Sequence, residues 1–101
     1  MLEKDFATQV EHLLDLGGWR WTHFRPALRK SGTYSTPLAG DKGFPDYCAV
    51  RDGRLIFAEI KSTNGRASRE QIAWLEDLGA AGVSTYLWHP EDLPLVVEAL
   101  R

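Results

Sequence analysis

Three residues of the types that perform phosphoryl chemistry stand at the open end of one apolar β-pair. Asp46 closes the run GFPD at 43–46, and after twelve intervening residues Glu59 and Lys61 form the run EIK at 59–61. Between them, DYCAVR and RLIFAEIK are strand-like runs joined by Asp52-Gly53. That dipeptide is a strong hairpin signal, because both central residues of a type I′ turn need positive φ. A two-residue turn pairs 51 with 54 and, counting outward, 46 with 59. Asp46 and Glu59 are therefore expected to face each other. Alternation puts Asp46, Cys48 and Val50 on one sheet face with Leu55, Phe57, Glu59 and Lys61, and leaves Tyr47, Ala49, Ile56, Ala58 and Ile60 for the other. Both faces are mostly apolar, the pattern of a sheet covered by helices on both sides.

Opposed carboxylates with Cβ atoms about 5 Å apart repel one another, so stability alone would not select them at a half-buried position. A cation between them removes the conflict. Mg²⁺ or Mn²⁺ is a hard ion suited to such a clamp, Mg²⁺ accepting carboxylate oxygens at about 2.1 Å while keeping several waters. Lys61, on the same face two residues past Glu59, can orient the attacking water or stabilise a phosphorane-like transition state. An isolated E-x-K is common and says little. The turn-defined register, the Gly-x-Pro before Asp46 and the surrounding basic residues together favour a site suited to metal-assisted attack of water on a phosphodiester over the alternative of solvated charges at a strand end.

The elements that must position these groups follow from periodicity and punctuation. Leu2, Phe6, Val10, Leu13 and Leu14 fall at helical spacing and Gly17-Gly18 supplies a stop, which predicts a helix over 2–16. Residues 19–24 read as a short aromatic strand ended by Arg25-Pro26, and PALRKSGTYSTPLAGDKG as a long loop. After the hairpin, Ser68 caps a helix from Arg69 to about Ala80, with Gln71 completing a capping-box pattern. VSTYLWH is a strand, and Pro90 begins a last helix in which Leu93, Val96, Val97 and Leu100 share a face. The order is α-β-(loop)-β-β-α-β-α, with no internal repeat.

At 101 residues, 44% apolar and 26% charged, the chain has the size and composition of one soluble globular domain spanning 1–101, not of a disordered chain. No apolar run approaches the roughly 18 residues that span a bilayer, and MLEKDF lacks the regions of a signal peptide, so a cytoplasmic protein without membrane contact is expected. The lone Cys48 excludes an intramolecular disulfide and a Cys-rich zinc site, and its apolar setting reads as a structural thiol. A net charge of −2 is not that of a globally basic nucleic-acid binder. The middle of the chain is nonetheless basic, with Arg20, Arg25, Arg29, Lys30, Lys42, Arg51, Arg54, Lys61, Arg66 and Arg69 between more acidic ends.

GFPD, the spacing to EIK, a Gly-containing basic link and a helix carrying Gln71 together resemble the PD-(D/E)xK nuclease superfamily, and more narrowly the small stand-alone VRR-NUC domains of phages and bacteria. The similarity covers nearly the whole chain. It implies a restriction-endonuclease-like α/β fold with a central mixed sheet flanked by helices, and divalent-metal-dependent, structure-selective cleavage of DNA. It also implies homodimers acting on branched DNA such as Holliday junctions. Carried over by motif, Asp46 and Glu59 become metal ligands, the Ile60 carbonyl a further ligand, and Lys61 the catalytic lysine. Gln71 matches the family's helix glutamine, and one side chain near a helix N-terminus suits either that use or the cap.

The resemblance also calls for an early helical Glu, best matched by Glu3. Glu11 competes, but Glu3 lies about 50° from the mean of the apolar stripe and Glu11 about 130° from it, so Glu11 is expected to face water. Arg25, Arg29, Lys30, Lys42, Arg66 and Arg69 are candidate phosphate contacts, His23 a candidate at the site or on DNA, and Tyr34 a candidate for stacking on an unpaired base. Asp41 could approach the metal without motif support. Trp74, Leu75 and Leu78 read as core or dimer contacts, and Trp88 as core. The rival reading is a DNA-binding module of the same fold that does not cleave, and a non-nucleic-acid scaffold is the third.

Overall fold

In the computed structural model of this chain, the described residues are 1–24, 27–28, 34–35 and 39–101. Helix α1 spans Glu3–Leu16 and buries Phe6, Ala7, Val10 and Leu14, the stripe that the 3.6-residue period demands. Burying each of the larger three contributes about 1.5–3 kcal/mol. Leu2, expected on that stripe, is the N-cap and stands exposed, because it lies just outside the helix.

The main sheet has strand order β1-β4-β5-β6, formed by β1 (Arg20–His23), β4 (Tyr47–Arg51), β5 (Arg54–Ile60) and β6 (Ser84–Trp88). The first three strands are antiparallel, and β6 runs parallel to β5. A parallel neighbour needs a crossover, and helix α2 (Arg69–Ala80) supplies it. The architecture is therefore α/β, a four-stranded mixed sheet flanked by helices. Within the segment expected to be a long loop, β2 (Ala27–Leu28) pairs with β3 (Tyr34–Ser35) as a separate two-stranded ladder. Strands of two residues are too short to show alternation in sequence.

Asp52 and Gly53 have φ of 49° and 80°, as the type I′ turn requires. The register is the expected one from Arg51↔Arg54 to Tyr47↔Ala58. Tyr47, Ala49, Ile56, Ala58 and Ile60 join Phe6, Val10, Leu14, Trp19, Trp88, Val96 and Leu100 in one buried cluster, so α1 and the C-terminal helix share that face of the sheet. The opposite face departs from the expectation of full cover. Helix α2 packs there over β5 and β6, with Thr85 Oγ1 donating to Leu75 O at 3.2 Å, while Val50 and Leu55 toward the turn remain 40% and 39% exposed.

The last helix also differs from its expectation. Residues Pro90–Asp92 form a 3-10 turn, and α3 spans only Leu93–Ala99. Pro94 has no N–H and is tolerated only in a first turn, so a helix begun at Pro90 must restart. With that restart Val96 and Leu100 are buried, and Val97 is exposed. No helix among the described residues is long and apolar enough to cross a membrane.

Candidate active site

Just before β4 and beyond the last ladder pair of the hairpin, Asp46 accepts from Phe24 N at 2.7 Å through its main-chain oxygen. Its side chain turns back to β5, where Oδ2 accepts from Ile60 N at 3.3 Å. Ile60, expected to offer a carbonyl, thus contributes an N–H that orients Asp46, and its own side chain is fully buried. Glu59 is 2% exposed, the buried charged residue of the described core. Gln71 Nε2 donates to its Oε2 at 3.2 Å, and Lys61 Nζ lies 3.6 Å from the same oxygen. Its Oε1 is buried with no partner.

Burial pushes the Glu59 carboxyl from its ordinary 4.5 up to about 9, and the hydrogen-bonding reach and charge of Asp46 add to the shift. Lys61 offsets this only in part. Two carboxyl groups in such a contact are favourable only with a proton or a cation between them. A buried orphan oxygen opposite a second carboxylate is a donor set for a hard divalent ion, so the residues fit Mg²⁺ or Mn²⁺. Among the described residues no three His, Cys, Asp or Glu side chains converge on one point. The ion's other positions would fall to main-chain oxygen and water.

These groups line one open cleft of about 710 Å³ whose walls include Glu3, Lys4, Thr8, His23, Phe24, Asp46, Glu59, Lys61 and Gln71. Helix α1 brings Glu3 to the rim. Partial burial and then the nearby Asp46 raise its pKa, against the lowering effects of Lys61 and His23. Glu11, expected in water, is instead half-buried. Its Oε2 accepts from Tyr47 OH at 2.5 Å and meets His23 Nδ1 at 3.1 Å, and His23 stacks on Tyr47 with ring centroids 4.0 Å apart. The angle to the apolar stripe gives no sign of this, because Tyr47 and His23 extend a polar partner to the helix flank. Directly paired positions 23 and 47 would have disclosed it, had the β1-β4 register been readable.

The rest of GFPD fastens the site to α2. Gly43 has φ of 98°, and a Cβ there would stand 2.6 Å from the Glu70 carbonyl carbon and 2.9 Å from Gln71 N. Only glycine allows that approach. Phe44 packs edge-on against Phe24, Phe57 and Trp74, while Trp74 Nε1 donates to the carbonyls of Asp41 and Lys42 at 3.2 and 3.1 Å. Trp74 is therefore a fastener, and Asp41 is exposed and absent from the cleft lining. Gln71 caps the helix and also touches the carboxyl pair, since its Oε1 accepts from Ser68 N while its Nε2 reaches Glu59.

Cys48 is half-buried, and burial raises its thiol pKa, in keeping with a structural thiol. Of the candidate phosphate contacts, Arg66 and Arg69 are exposed before and at the start of α2, whereas Lys42 pairs with Glu70 at 3.4 Å. Arg25, Arg29 and Lys30 lie outside the described residues, as does the side chain of Tyr34. Arg51 and Arg54, counted in the basic middle, are bound to main-chain carbonyls at the far end of the hairpin. No family model matches the chain, and no curated protein matches it.

Proposed function

We propose that this chain is a divalent-metal-dependent, structure-selective DNA endonuclease of the VRR-NUC kind within the restriction-endonuclease-like folds, acting as a homodimer on branched DNA such as Holliday junctions. One observation carries the reading: a buried carboxyl with an orphan oxygen confronts a second carboxylate in an open cleft, with a lysine 3.6 Å away. Such a conflict is costly to the fold and useful to a hydrolase.

Asp46 and Glu59 would hold Mg²⁺ or Mn²⁺, with the Ile60 carbonyl as the further candidate. When bound, the ion supplies Lewis acidity at the scissile phosphate and makes water a better nucleophile. Lys61 donates to a phosphate oxygen as negative charge grows there. Glu3, its carboxyl held above the ordinary range, stands on the rim, where it takes a proton from the attacking water. Gln71 keeps Glu59 Oε2 in place, and Arg66 and Arg69 offer phosphate contacts beside it.

The test incubates the protein with labelled four-way junction, flap, single-stranded and linear duplex DNA, in Mg²⁺, Mn²⁺ or EDTA. Metal-dependent cutting of branched substrates is expected. Salt-sensitive binding with no cutting in either metal would replace the proposal with the binding-module reading.

A further inference from the structure

Ser68 reaches the carboxyl pair through one intervening side chain. Its N–H donates to Gln71 Oε1 at 2.8 Å, its Oγ accepts from Gln71 N at 3.1 Å, and Gln71 Nε2 donates to Glu59 Oε2 at 3.2 Å. An amide oxygen only accepts and an amide nitrogen only donates, so the Ser68 N–H decides which end of the amide meets Glu59. Reversed, the amide would set its oxygen against a buried carboxyl oxygen. A capping box needs the first two bonds alone. The third ties the helix start to a residue that is 2% exposed.

We infer that Ser68 is a positioning residue for Glu59, holding through Gln71 the plane in which that carboxyl confronts Asp46. The kinetic side of this inference rests on the nuclease reading, and its spectroscopic side does not.

Ser68 has φ of −71° and ψ of 165°, within proline's range. Ser68→Pro therefore removes both the N–H and the hydroxyl while the dihedrals of position 68 stay as they are, whereas Ser68→Gly removes the hydroxyl and keeps the N–H. Both lose the side-chain cap, and only the proline variant loses the bond to Gln71 Oε1. Gln71→Glu adds a third arm. It keeps the capping box, for which Glu is a preferred partner, and replaces the donor facing Glu59 with an acceptor.

In ¹⁵N-labelled protein the Gln71 side-chain amide cross-peaks are expected to move further in Ser68→Pro than in Ser68→Gly. In Mn²⁺-supported cleavage the proline variant and Gln71→Glu should fall at least about tenfold below Ser68→Gly in kcat, with KM little changed, the size of effect seen on removing partners behind metal ligands. Helix content by circular dichroism checks that the folds match, and Gln71→Glu decides if the proline variant does not fold.

Cross-peaks that move equally in the two Ser68 variants would overturn the inference. So would equal kcat in an enzyme that cleaves. A wild-type protein that neither cleaves DNA nor binds Mn²⁺ defeats the nuclease reading alone, and the Gln71 amide then decides the relay.

Discussion

At the turn end of the β4-β5 hairpin, Arg51 donates to the carbonyls of Gly17 and Leu100 at 2.9 and 3.1 Å, Arg54 donates to Ala99 O at 2.7 Å, and both guanidiniums lie over Trp19 at 4.5 and 4.9 Å. At the open end of the same hairpin, Glu59 keeps a buried oxygen without a partner and confronts Asp46. The charges of the turn end meet the last carbonyls of α1 and α3, acceptors that a helix leaves unpaired, and so they fasten the helices to the sheet. The charges of the open end meet each other. One end of a rigid two-stranded element thus stabilises the molecule, and the other holds a conflict that the fold tolerates because the hairpin is anchored elsewhere.

The sharpest way to break this comparison is at the open end. Lys61→Ala and Asp46→Ala are each expected to lower cleavage by about 10²–10³-fold, the scale for losing a group that stabilises developing charge. Urea denaturation should find neither variant unfolded. Equal cutting by either variant would end the functional half of the contrast. At the turn end the pattern should invert. Arg51→Ala is expected to lose about 1.5–3 kcal/mol of unfolding free energy, the value of charge-assisted hydrogen bonds, here part-buried, while the kcat of the folded protein stays at the wild-type value.

Gly43→Ala should affect both stability and cleavage, because its Cβ would strike the first turn of α2. Strain at positive φ predicts a loss of about 1–2 kcal/mol, accompanied by weakened cleavage as Pro45-Asp46 shifts. Acidity separates the ends further. The folded Glu59 pKa is raised, so its contribution is full below about 4.5 and is lost as pH rises toward about 9. Metal-free protein should therefore lose stability across that window in thermal melts, with Glu3 adding a change of the same sign. Saturating Mg²⁺ should flatten the profile, and a flat profile in EDTA would contradict the buried-carboxyl account. The smallest effect belongs to Lys42→Ala, whose exposed partner Glu70 is screened by water, and no measurable change in melting temperature is expected.

What could be read before the fold was local. The Asp-Gly turn sets its own φ values and with them the ladder from Arg51↔Arg54 to Tyr47↔Ala58, so the approach of Asp46 to Glu59 follows from residues within one hairpin. Ser68 and Gln71, three positions apart, specify their capping box for the same reason. Long-range placement was another matter. Glu11 meets Tyr47 across 36 positions and Arg51 meets Leu100 across 49. No periodicity within either segment announces such partners. Hence Glu11 looked solvated, Arg51 and Arg54 counted only as part of a basic middle, and Val97 looked buried.

The sequence by itself determined the four strands of the main sheet, the first two helices, the hairpin register and the chemical types gathered at its open end, because turn dihedrals, caps and alternation act between near neighbours. Tertiary structure alone decided which of those charges are satisfied. It gave the turn-end arginines two helix termini to bind, tied Gln71 to Glu59 as well as to Ser68, and left Glu59 Oε1 buried without a partner. Burial and partnership are properties of the packed whole, set by what α1, α2 and α3 bring to the sheet rather than by any one stretch of chain.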